Sequence, residues 1–206
     1  MGFYSRFILP PLLSSAMSSK PIRYQRKKVV PLAEGRVLEI GIGAGHNIPF
    51  YDRAKVTELI GLEPAVEMRE RAARVAKETG LPVEFIDLKA EEIPLDTESI
   101  DTVLVTYTLC TIPDTLTALK GMRRVLKPGG KLIFCEHGKA PDAKVERWQR
   151  RLTPIWKRIG GGCHLGRPIP ELIHKGGFAI QKMDTMYLPS TPRFAGFNYW
   201  GVAQKA

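Results

Sequence analysis

Cysteine is scarce in this chain of 206 residues, which has only Cys110, Cys135 and Cys163. These residues are odd in number and far apart, and none belongs to a Cys-x-x-Cys pair of the kind that binds zinc or works as a redox dithiol. The spacing therefore predicts no metal site. We expect three free thiols and a cytoplasmic protein, because free thiols persist in a reducing compartment.

Long hydrophobic runs are also missing. The stretch 2–17 is partly apolar, but Arg6 and Pro10-Pro11 interrupt it. It is therefore too short to span a bilayer, and it lacks the uninterrupted centre of a signal peptide. Repeats and low-complexity tracts are absent, and the length suits one domain. We expect residues 1–35 to form a basic and partly apolar segment that covers the active site of a domain at 36–206.

Acidic residues are fewer than basic ones: the chain has 21 Asp and Glu and 31 Lys and Arg, which gives a net charge of +10. The excess lies in residues 1–36 and 137–167, each with a net charge of +6, while residues 37–136 carry −4. Such flanks attract anionic lipid headgroups or nucleic acid, although two solvated helical faces produce the same pattern. No basic strand with interleaved aromatic residues is visible, so we expect no nucleic-acid partner.

Apolar runs of strand length alternate with helical patterns, as in βαβ units around a parallel sheet. The sequence predicts strands at 36–40, 56–62, 83–86, 102–106 and 131–135, helices at 65–77 and 115–126, and closing strands at 178–183 and 197–203. Pro128-Gly129-Gly130 predicts a sharp stop and turn. Residues 141–167 become basic, and we predict that they form a cap over the mouth of the sheet. Trp148 and Trp156 would line a pocket there or anchor the cap.

A glycine-rich segment, EIGIGAG at 39–45, lies where the chain leaves the first predicted strand. Ligands of open parallel sheets bind at that place, and Gly41 and Gly43 permit a tight turn close to a ligand. The Gly-x-Gly-x-Gly spacing differs from the Gly-x-Gly-x-x-Gly that is typical of a nicotinamide site. We predict that Glu39 accepts a hydrogen bond from an ammonium group of the ligand and that Asn47 caps a following helix.

Acidic and polar residues follow the next predicted strands. Glu63 lies 18 residues after Gly45, where a carboxylate accepts hydrogen bonds from both ribose hydroxyls of an adenosine group. Ala90 and Glu91 would form a side wall for the adenine, although Glu91 also fits a surface acid. Thr106 would form the floor between the nucleoside ligand and a second ligand, or pack at the strand end.

The ordered set of segments resembles the class I S-adenosylmethionine-dependent methyltransferases over most of residues 36–137. VLEIGIGAGHN, GLEP, KAEEIPLDTESIDTVLVT and MRRVLKPGGKLIF carry the resemblance. It implies a single doubly wound, seven-stranded, mostly parallel sheet, S-adenosylmethionine as the cofactor, and contacts from Gly41, Gly43, Glu63 and the region of Ala90. Together with the residues above, the predicted cofactor set is Glu39, Gly41, Gly43, Gly45, Asn47, Glu63, Pro64, Ala90, Glu91 and Thr106. Lys89 departs from the family pattern, in which many members carry an acid that reaches the adenine amino group.

A narrower resemblance lies outside these segments. TLCTIPD, EHG and WQRRLTPIWKRIGGGCHLGR are similar to small bacterial methyltransferases labelled phospholipid N-methyltransferases and to membrane-associated animal enzymes that methylate thiols. MSSK at 17–20 is similar to an element of the animal group. The acceptors implied are phosphatidylethanolamine or a small thiol or lipophilic molecule. We favour the small acceptor, because no groove-forming domain for a phospholipid is evident, and we expect at most reversible association with an anionic membrane surface.

Methyl transfer places an acceptor electron pair in line with the methyl group, so a base matters only for a protonated acceptor. The predicted catalytic residues are His137, after the fifth strand, and Cys163 and His164 in the cap; Glu136 is a further candidate. A structural role fits His137 too. Two other classes of function stay open, a nicotinamide-dependent reductase and a non-catalytic module that binds a cofactor or nucleic acid.

Overall fold

The computed structural model describes residues 17–206 of the chain. The strands are β1 (Gly35–Ile40), β2 (Val56–Leu62), β3 (Glu84–Ile86), β4 (Ile100–Thr106), β5 (Leu126–His137), β6 (Phe178–Tyr187) and β7 (Phe197–Lys205). The helices are α1 (Lys20–Val29), α2 (Val66–Thr79), α3 (Thr115–Val125), α4 (Ala143–Ile159), α5 (Ile169–Lys175) and α6 (Arg193–Gly196). Two short 3₁₀ turns span Val30–Leu32 and Ile48–Phe50.

The seven strands form one sheet in the order β3-β2-β1-β4-β5-β7-β6. Strands β1 to β5 are parallel, and β7 is antiparallel to both β5 and β6. This arrangement confirms the predicted seven-stranded, mostly parallel sheet. The strand order reverses between β1 and β4, so the loops after these two strands diverge and open a crevice at their carboxyl ends.

Both faces of the sheet are covered, which explains why its central strands bury apolar side chains on both sides. Successive side chains of a strand point to opposite faces. In β1, Leu38 and Ile40 belong to one buried cluster and Val37 to another. Glu39 lies on the same face as Val37, so its carboxyl group is carried into the interior beneath the glycine loop.

Two local predictions need correction. No α-helix joins β1 to β2 in the described chain; the loop runs into the 3₁₀ turn at Ile48–Phe50, which ends because Tyr51 takes an extended backbone. The turn predicted at Pro128-Gly129-Gly130 is a bulge inside β5. Leu126 of β5 lies opposite Ile100 of β4, but the next paired residue of β5 is Lys131, which lies opposite Thr102. The residues between them bulge out of the ladder, and Gly129 takes a positive φ of 76°.

The cap predicted at 141–167 contains α4. It is held by buried Gln149, whose Nε2 donates to the carbonyls of Gly138 and Leu165 while its Oε1 accepts from the Ala140 N–H. Trp148 is half exposed, whereas Trp156 packs edge-on against Phe194, with the ring centroids 5.9 Å apart. Trp156 therefore anchors the cap together with the Gln149 amide, and Trp148 does not. The prediction for residues 2–17 lies outside the described residues except at Met17. Within residues 17–206 no helix is long and apolar enough to cross a membrane.

Candidate functional site

A cavity of about 210 Å³ lies at the carboxyl ends of β1, β4 and β5. It is lined by the glycine loop, by the turn after β4, by the end of β5, by the N-terminal segment and by the cap. The lining residues are Met17, Arg26, Gly41, Ile42, Gly43, Ala44, His46, Glu63, Met68, Thr106, Tyr107, Thr108, Cys110, Thr111, His137, Gly160 and Cys163. One cavity thus collects residues from both predicted sets, cofactor and catalytic.

The glycine loop has a left-handed backbone, with φ of 66° at Gly41 and 55° at Gly43. A Cβ at Gly41 would lie 2.5 Å from Cγ2 of Thr108, so only glycine lets the loop pack against the turn after β4. A Cβ at Gly43 would meet nothing closer than the Gly41 carbonyl oxygen at 3.8 Å, because it would point into the cavity. Gly45 does not line the cavity; it packs against α2, where its Cβ would lie 3.0 Å from Cα of Ala72.

A buried hydrogen-bond network lies under the loop. Tyr51 Oη donates to Glu39 Oε2 at 2.6 Å, and Asn47 Nδ2 donates to Glu39 Oε1 at 2.8 Å and to Thr106 Oγ1 at 3.0 Å. Arg26 Nη1, from α1, donates to Asn47 Oδ1 and to Thr106 Oγ1. The network ties the N-terminal helix to the first and fourth strands.

This network corrects two predictions. The Asn47 side chain makes no helix-capping bond, because it is used by Arg26, Glu39 and Thr106. Glu39 does not line the cavity, because the residue is 2% exposed and its carboxyl group faces Tyr51 and Asn47 beneath the glycine loop. Burial raises the pKa of Glu39 to about 7, against the opposing effects of the Tyr51 hydrogen bond, the Arg26 charge and the Asn47 hydrogen bond.

Arg26 is the important residue that the sequence did not single out. It appears there only within the basic run Arg26-Lys27-Lys28, yet it is 5% exposed and lines the cavity. Burial lowers the pKa of its guanidinium, and the nearby Tyr107 and Glu39 partly offset this shift. Its Nε has no hydrogen-bond partner among the described residues, and a buried cationic donor without a partner is a ready site for an anionic group of a ligand.

Glu63 lies at the cavity, as its spacing predicted. Its Oε2 accepts from the Gly43 N–H at 3.2 Å and its Oε1 from the Ala65 N–H at 3.0 Å. Burial raises the pKa of this carboxyl group, and the two backbone hydrogen bonds oppose that shift. Pro64, the next residue, is exposed and does not line the cavity.

The structure does not bring Ala90 or Glu91 to this cavity. Ala90 is 7% exposed and packs in the core cluster with Ile93. Glu91 Oε1 accepts from the Asp114 N–H at 3.2 Å, and the side chain lines a separate surface depression. Glu91 therefore takes the alternative role of a surface acid.

The turn after β4 is held tightly to β5. Tyr107 has a positive φ of 54°, uncommon for a residue with a side chain. Glu136 Oε1 accepts from the N–H groups of Thr108 and Leu109, at 2.7 and 3.0 Å. Burial raises the pKa of Glu136 to about 7, and these two hydrogen bonds oppose it. This clamp places Cys110 beside the end of β5.

Three chemically reactive side chains meet there. His137 Nε2 lies 3.1 Å from Cys163 Sγ, and the Cys110 thiol completes a group whose donor atoms all lie within 4.8 Å of one another. Hydrogen bonds from Cys110 and His137 lower the pKa of the Cys163 thiol despite its burial. His164 does not line the cavity, and its backbone N–H donates to the Cys110 carbonyl.

Comparison with known proteins agrees with this geometry. A family model described as "Methyltransferase domain" matches residues 38–134. Thiol S-methyltransferase TMT1B of Rattus norvegicus is 34% identical over 79% of this chain and 70% of its own length. A phosphatidylethanolamine N-methyltransferase of Cereibacter sphaeroides is 32% identical over 70% of this chain and 72% of its own length.

A solved structure has the same fold. The S-adenosylmethionine-dependent methyltransferase of Thermotoga maritima superimposes with a TM-score of 0.68 over 98% of each chain, at 23% sequence identity. The relatives above match most of the chain, well beyond the glycine loop. The chain therefore belongs to the class I methyltransferases, and it is an enzyme that uses S-adenosylmethionine as its methyl donor.

Proposed function

We propose that this methyltransferase acts on a small lipophilic thiol. The observation that carries the proposal is the lining of the cavity opposite the glycine loop, where Cys110, His137 and Cys163 meet. The one carboxylate among the described lining residues is Glu63, which lies at the glycine loop. The described part of the opposite wall therefore offers no acid to attract or deprotonate an aminophospholipid headgroup, whereas a thiol needs no such partner.

The cavity residues fit the cofactor. S-adenosylmethionine supplies a methyl group on a positively charged sulfur. We assign the ribose hydroxyls to Glu63, whose carboxylate lies at the loop, and the methionine carboxylate to Arg26, whose Nε is unpartnered among the described residues. Gly43 leaves room for the ligand because it has no side chain there. Glu39 and Asn47 act indirectly, by holding Arg26 and the loop in place.

The acceptor would lie at the opposite wall, against Cys110, His137 and Cys163. A thiol suits this wall because it ionises near neutral pH and needs little help from a base. An amine would first have to lose its proton, and a hydroxyl would need a strong base. Holding the sulfur in line with the methyl group then supplies most of the rate.

An acceptor panel tests the proposal. Pure protein and S-adenosylmethionine are incubated with small alkyl and aryl thiols, with phosphatidylethanolamine vesicles and with quinols, and S-adenosylhomocysteine and methylated products are measured. We expect methyl thioethers from the thiols and no methylated lipid or quinol. Methylation of phosphatidylethanolamine without turnover of any thiol would replace the proposal with its alternative, a phospholipid N-methyltransferase.

Replacing Glu63 with Ala should weaken binding of S-adenosylhomocysteine by about 1–3 kcal/mol through the lost ribose hydrogen bonds. Isothermal titration measures this change, which equals a rise in Kd of roughly 5- to 150-fold. Glu70→Ala, on the exposed side of α2, is the matched control and should leave the Kd unchanged. An unaltered Kd in Glu63→Ala would refute the assignment.

We also propose that the protein works in the cytoplasm and associates reversibly with anionic membranes. All three cysteines are free, as suits a reducing compartment. Helix α4 supports the membrane contact, because its exposed apolar residues Trp148 and Ile155 lie seven positions apart on one face. Beside them runs an exposed basic stripe with the same spacing, made of Lys144, Arg151 and Arg158. Apolar residues flanked by cations characterise interfacial helices.

The double substitution Trp148→Ser and Ile155→Ser should lower binding to vesicles rich in phosphatidylglycerol by at least about tenfold, since the apolar contact with the acyl region is lost. Co-sedimentation at low and high salt measures the binding, which should weaken in salt because the basic stripe contributes. Val66→Ser removes an equally exposed apolar side chain on α2 and should have no effect. Equal binding of the double variant and the wild type would contradict the proposal.

A further inference from the structure

The group formed by Cys110, His137 and Cys163 comes from three separate parts of the fold. Cys110 lies in the turn after β4, His137 ends β5, and Cys163 follows the glycines at the end of α4. The donor atoms of the three residues lie within 4.8 Å of one another, and all three residues line the cofactor cavity. We call these residues the Cys-His-Cys cluster.

The backbone fixes the cluster in place. The His164 N–H donates to the Cys110 carbonyl at 2.9 Å and so joins the two cysteine-bearing segments. Glu136 holds the turn that carries Cys110 against β5 through the N–H groups of Thr108 and Leu109. The three donors are therefore brought together by main-chain contacts as well as by contacts between the side chains themselves.

Two thiols and one imidazole form a donor set that Zn²⁺ prefers. With Zn–S bonds of about 2.3 Å and Zn–N bonds of about 2.0 Å, a tetrahedral site separates its donor atoms by about 3.5–3.8 Å. His137 Nε2 and Cys163 Sγ are 3.1 Å apart, and no two donor atoms of the cluster are more than 4.8 Å apart, so each distance needs to change by about an ångström or less. Two thiolates would also neutralise the charge of the buried ion.

The second nitrogen of the His137 ring points to an outer partner. His137 Nδ1 and Glu136 Oε2 are buried and have no hydrogen-bond partner among the described residues. A histidine that binds a metal through one ring nitrogen uses the other for a hydrogen bond to a carboxylate, a carbonyl or water. We therefore expect ordered water at these two atoms when a metal ion binds Nε2.

We propose that Cys110, His137 and Cys163 bind a zinc ion whose fourth coordination position faces the cavity and takes the sulfur of the acceptor. The zinc site itself stands on the geometry of the cluster. Its role as the acceptor anchor rests on the proposed thiol methyltransferase function. Three protein ligands and one open position are the usual composition of a catalytic zinc site, whereas structural sites have four protein ligands.

The role in the reaction follows from the charge of the ion. An acceptor thiol that takes the fourth position loses its proton to solvent, because a thiol bound to zinc is deprotonated. Its sulfur lone pair forms the bond to the methyl carbon, while the carbon–sulfur bond of the sulfonium breaks and leaves its electron pair on that sulfur. The products are a methyl thioether, S-adenosylhomocysteine and one proton, and the neutral thioether leaves the metal.

Cobalt substitution tests the site independently of activity. The protein is stripped with a chelator in a thiol-free reductant and titrated with Co²⁺, and bound Zn²⁺ is measured separately by mass spectrometry after dialysis. We expect one ion per chain, a thiolate-to-cobalt charge-transfer band and the intense visible bands of a tetrahedral ion. Cys163→Ser and His137→Gln should each lower the affinity for Zn²⁺ at least about 100-fold.

Cys135→Ser is the matched control, because Cys135 is a buried thiol of β5 whose Sγ contacts Tyr107 and Asn198 and lies outside the cluster. This variant should bind Co²⁺ like the wild type. Absence of stoichiometric uptake, or uptake that survives in Cys163→Ser and His137→Gln, would overturn the zinc site.

Addition of the acceptor separates the two proposals. A small thiol should shift the charge-transfer band of the cobalt protein as its sulfur enters the fourth position. Methylation of thiols by protein that takes up no metal would overturn the zinc site and leave the proposed function standing. A cobalt spectrum that no thiol alters, in protein that methylates none of them, would leave the metal site standing and overturn both its anchoring role and the proposed function.

Discussion

Gly43→Leu should raise the Kd for S-adenosylhomocysteine at least about 100-fold, which corresponds to about 2.7 kcal/mol. The added side chain has no protein atom to displace, since a Cβ at Gly43 would come no closer than 3.8 Å to the Gly41 carbonyl oxygen. It would occupy the cavity, where we place the cofactor. The fold should survive, with a loss of about 1–2 kcal/mol because leucine disfavours the left-handed backbone. Isothermal titration and chemical denaturation measure the two effects.

The control for this variant is Gly129→Leu. Gly129 also has a positive φ, of 76°, and a Cβ there would meet nothing within 4 Å, but it lies in the β5 bulge away from the cavity. Both substitutions should cost similar stability, and only Gly43→Leu should weaken binding. Equal Kd values for the two folded variants would show that the cofactor does not pass beside Gly43.

Arg26→Met should lower the free energy of unfolding by about 3–5 kcal/mol, as expected when one partner of a buried charged network is removed. The Asn47 Oδ1 atom would lose its donor, and the Glu39 carboxyl group would keep its burial without the nearby cation. Because Arg26 joins α1 to the cofactor loop, affinity for S-adenosylhomocysteine should fall as well. Chemical denaturation and isothermal titration measure the two changes.

Arg23→Met, on the exposed side of the same helix, should change stability by less than about 0.5 kcal/mol. A double variant that combines Arg26→Met with Glu39→Gln tests the network. Its loss in free energy of unfolding should be smaller than the sum of the two single losses, since the two side chains belong to one network. Simple additivity would mean that Arg26 and Glu39 stabilise the protein independently. A stable Arg26→Met protein with unchanged affinity would remove Arg26 from the site.

The sheet could be predicted from sequence because its signals are local. Strand-length apolar runs, the Gly-x-Gly-x-Gly loop and an acid at the end of the second strand each lie within a short window. Each predicted strand lies within a few residues of its observed bounds, except that β5 begins five residues earlier. Gly41, Gly43 and Glu63 reach the cavity for the same reason. Their positions follow directly from where β1 and β2 end.

The features of the site that could not be predicted from the sequence depend on contacts between distant segments. Arg26 meets Asn47 and Thr106, which are 21 and 80 residues away, and a basic run gives no sign that one member is buried. The Cys-His-Cys cluster could not be predicted because metal-site rules test close spacing, whereas these residues are more than 25 positions apart. Ala90 and Glu91 do not line the cavity for a different reason, since the Ala90 side chain packs in the core and Glu91 accepts from the Asp114 N–H. Their contact with the adenine stays a prediction.

The most direct test of methyl transfer in this cavity is a crystal structure of the protein with S-adenosylhomocysteine. We expect the ribose hydroxyls to bind the Glu63 carboxylate and the homocysteine part of the ligand to pass beside Gly43. The sulfur of the ligand should face the wall formed by His137 and Cys163. A ligand bound elsewhere, or one whose sulfur points away from that wall, would contradict the assignment of this cavity as the site of methyl transfer.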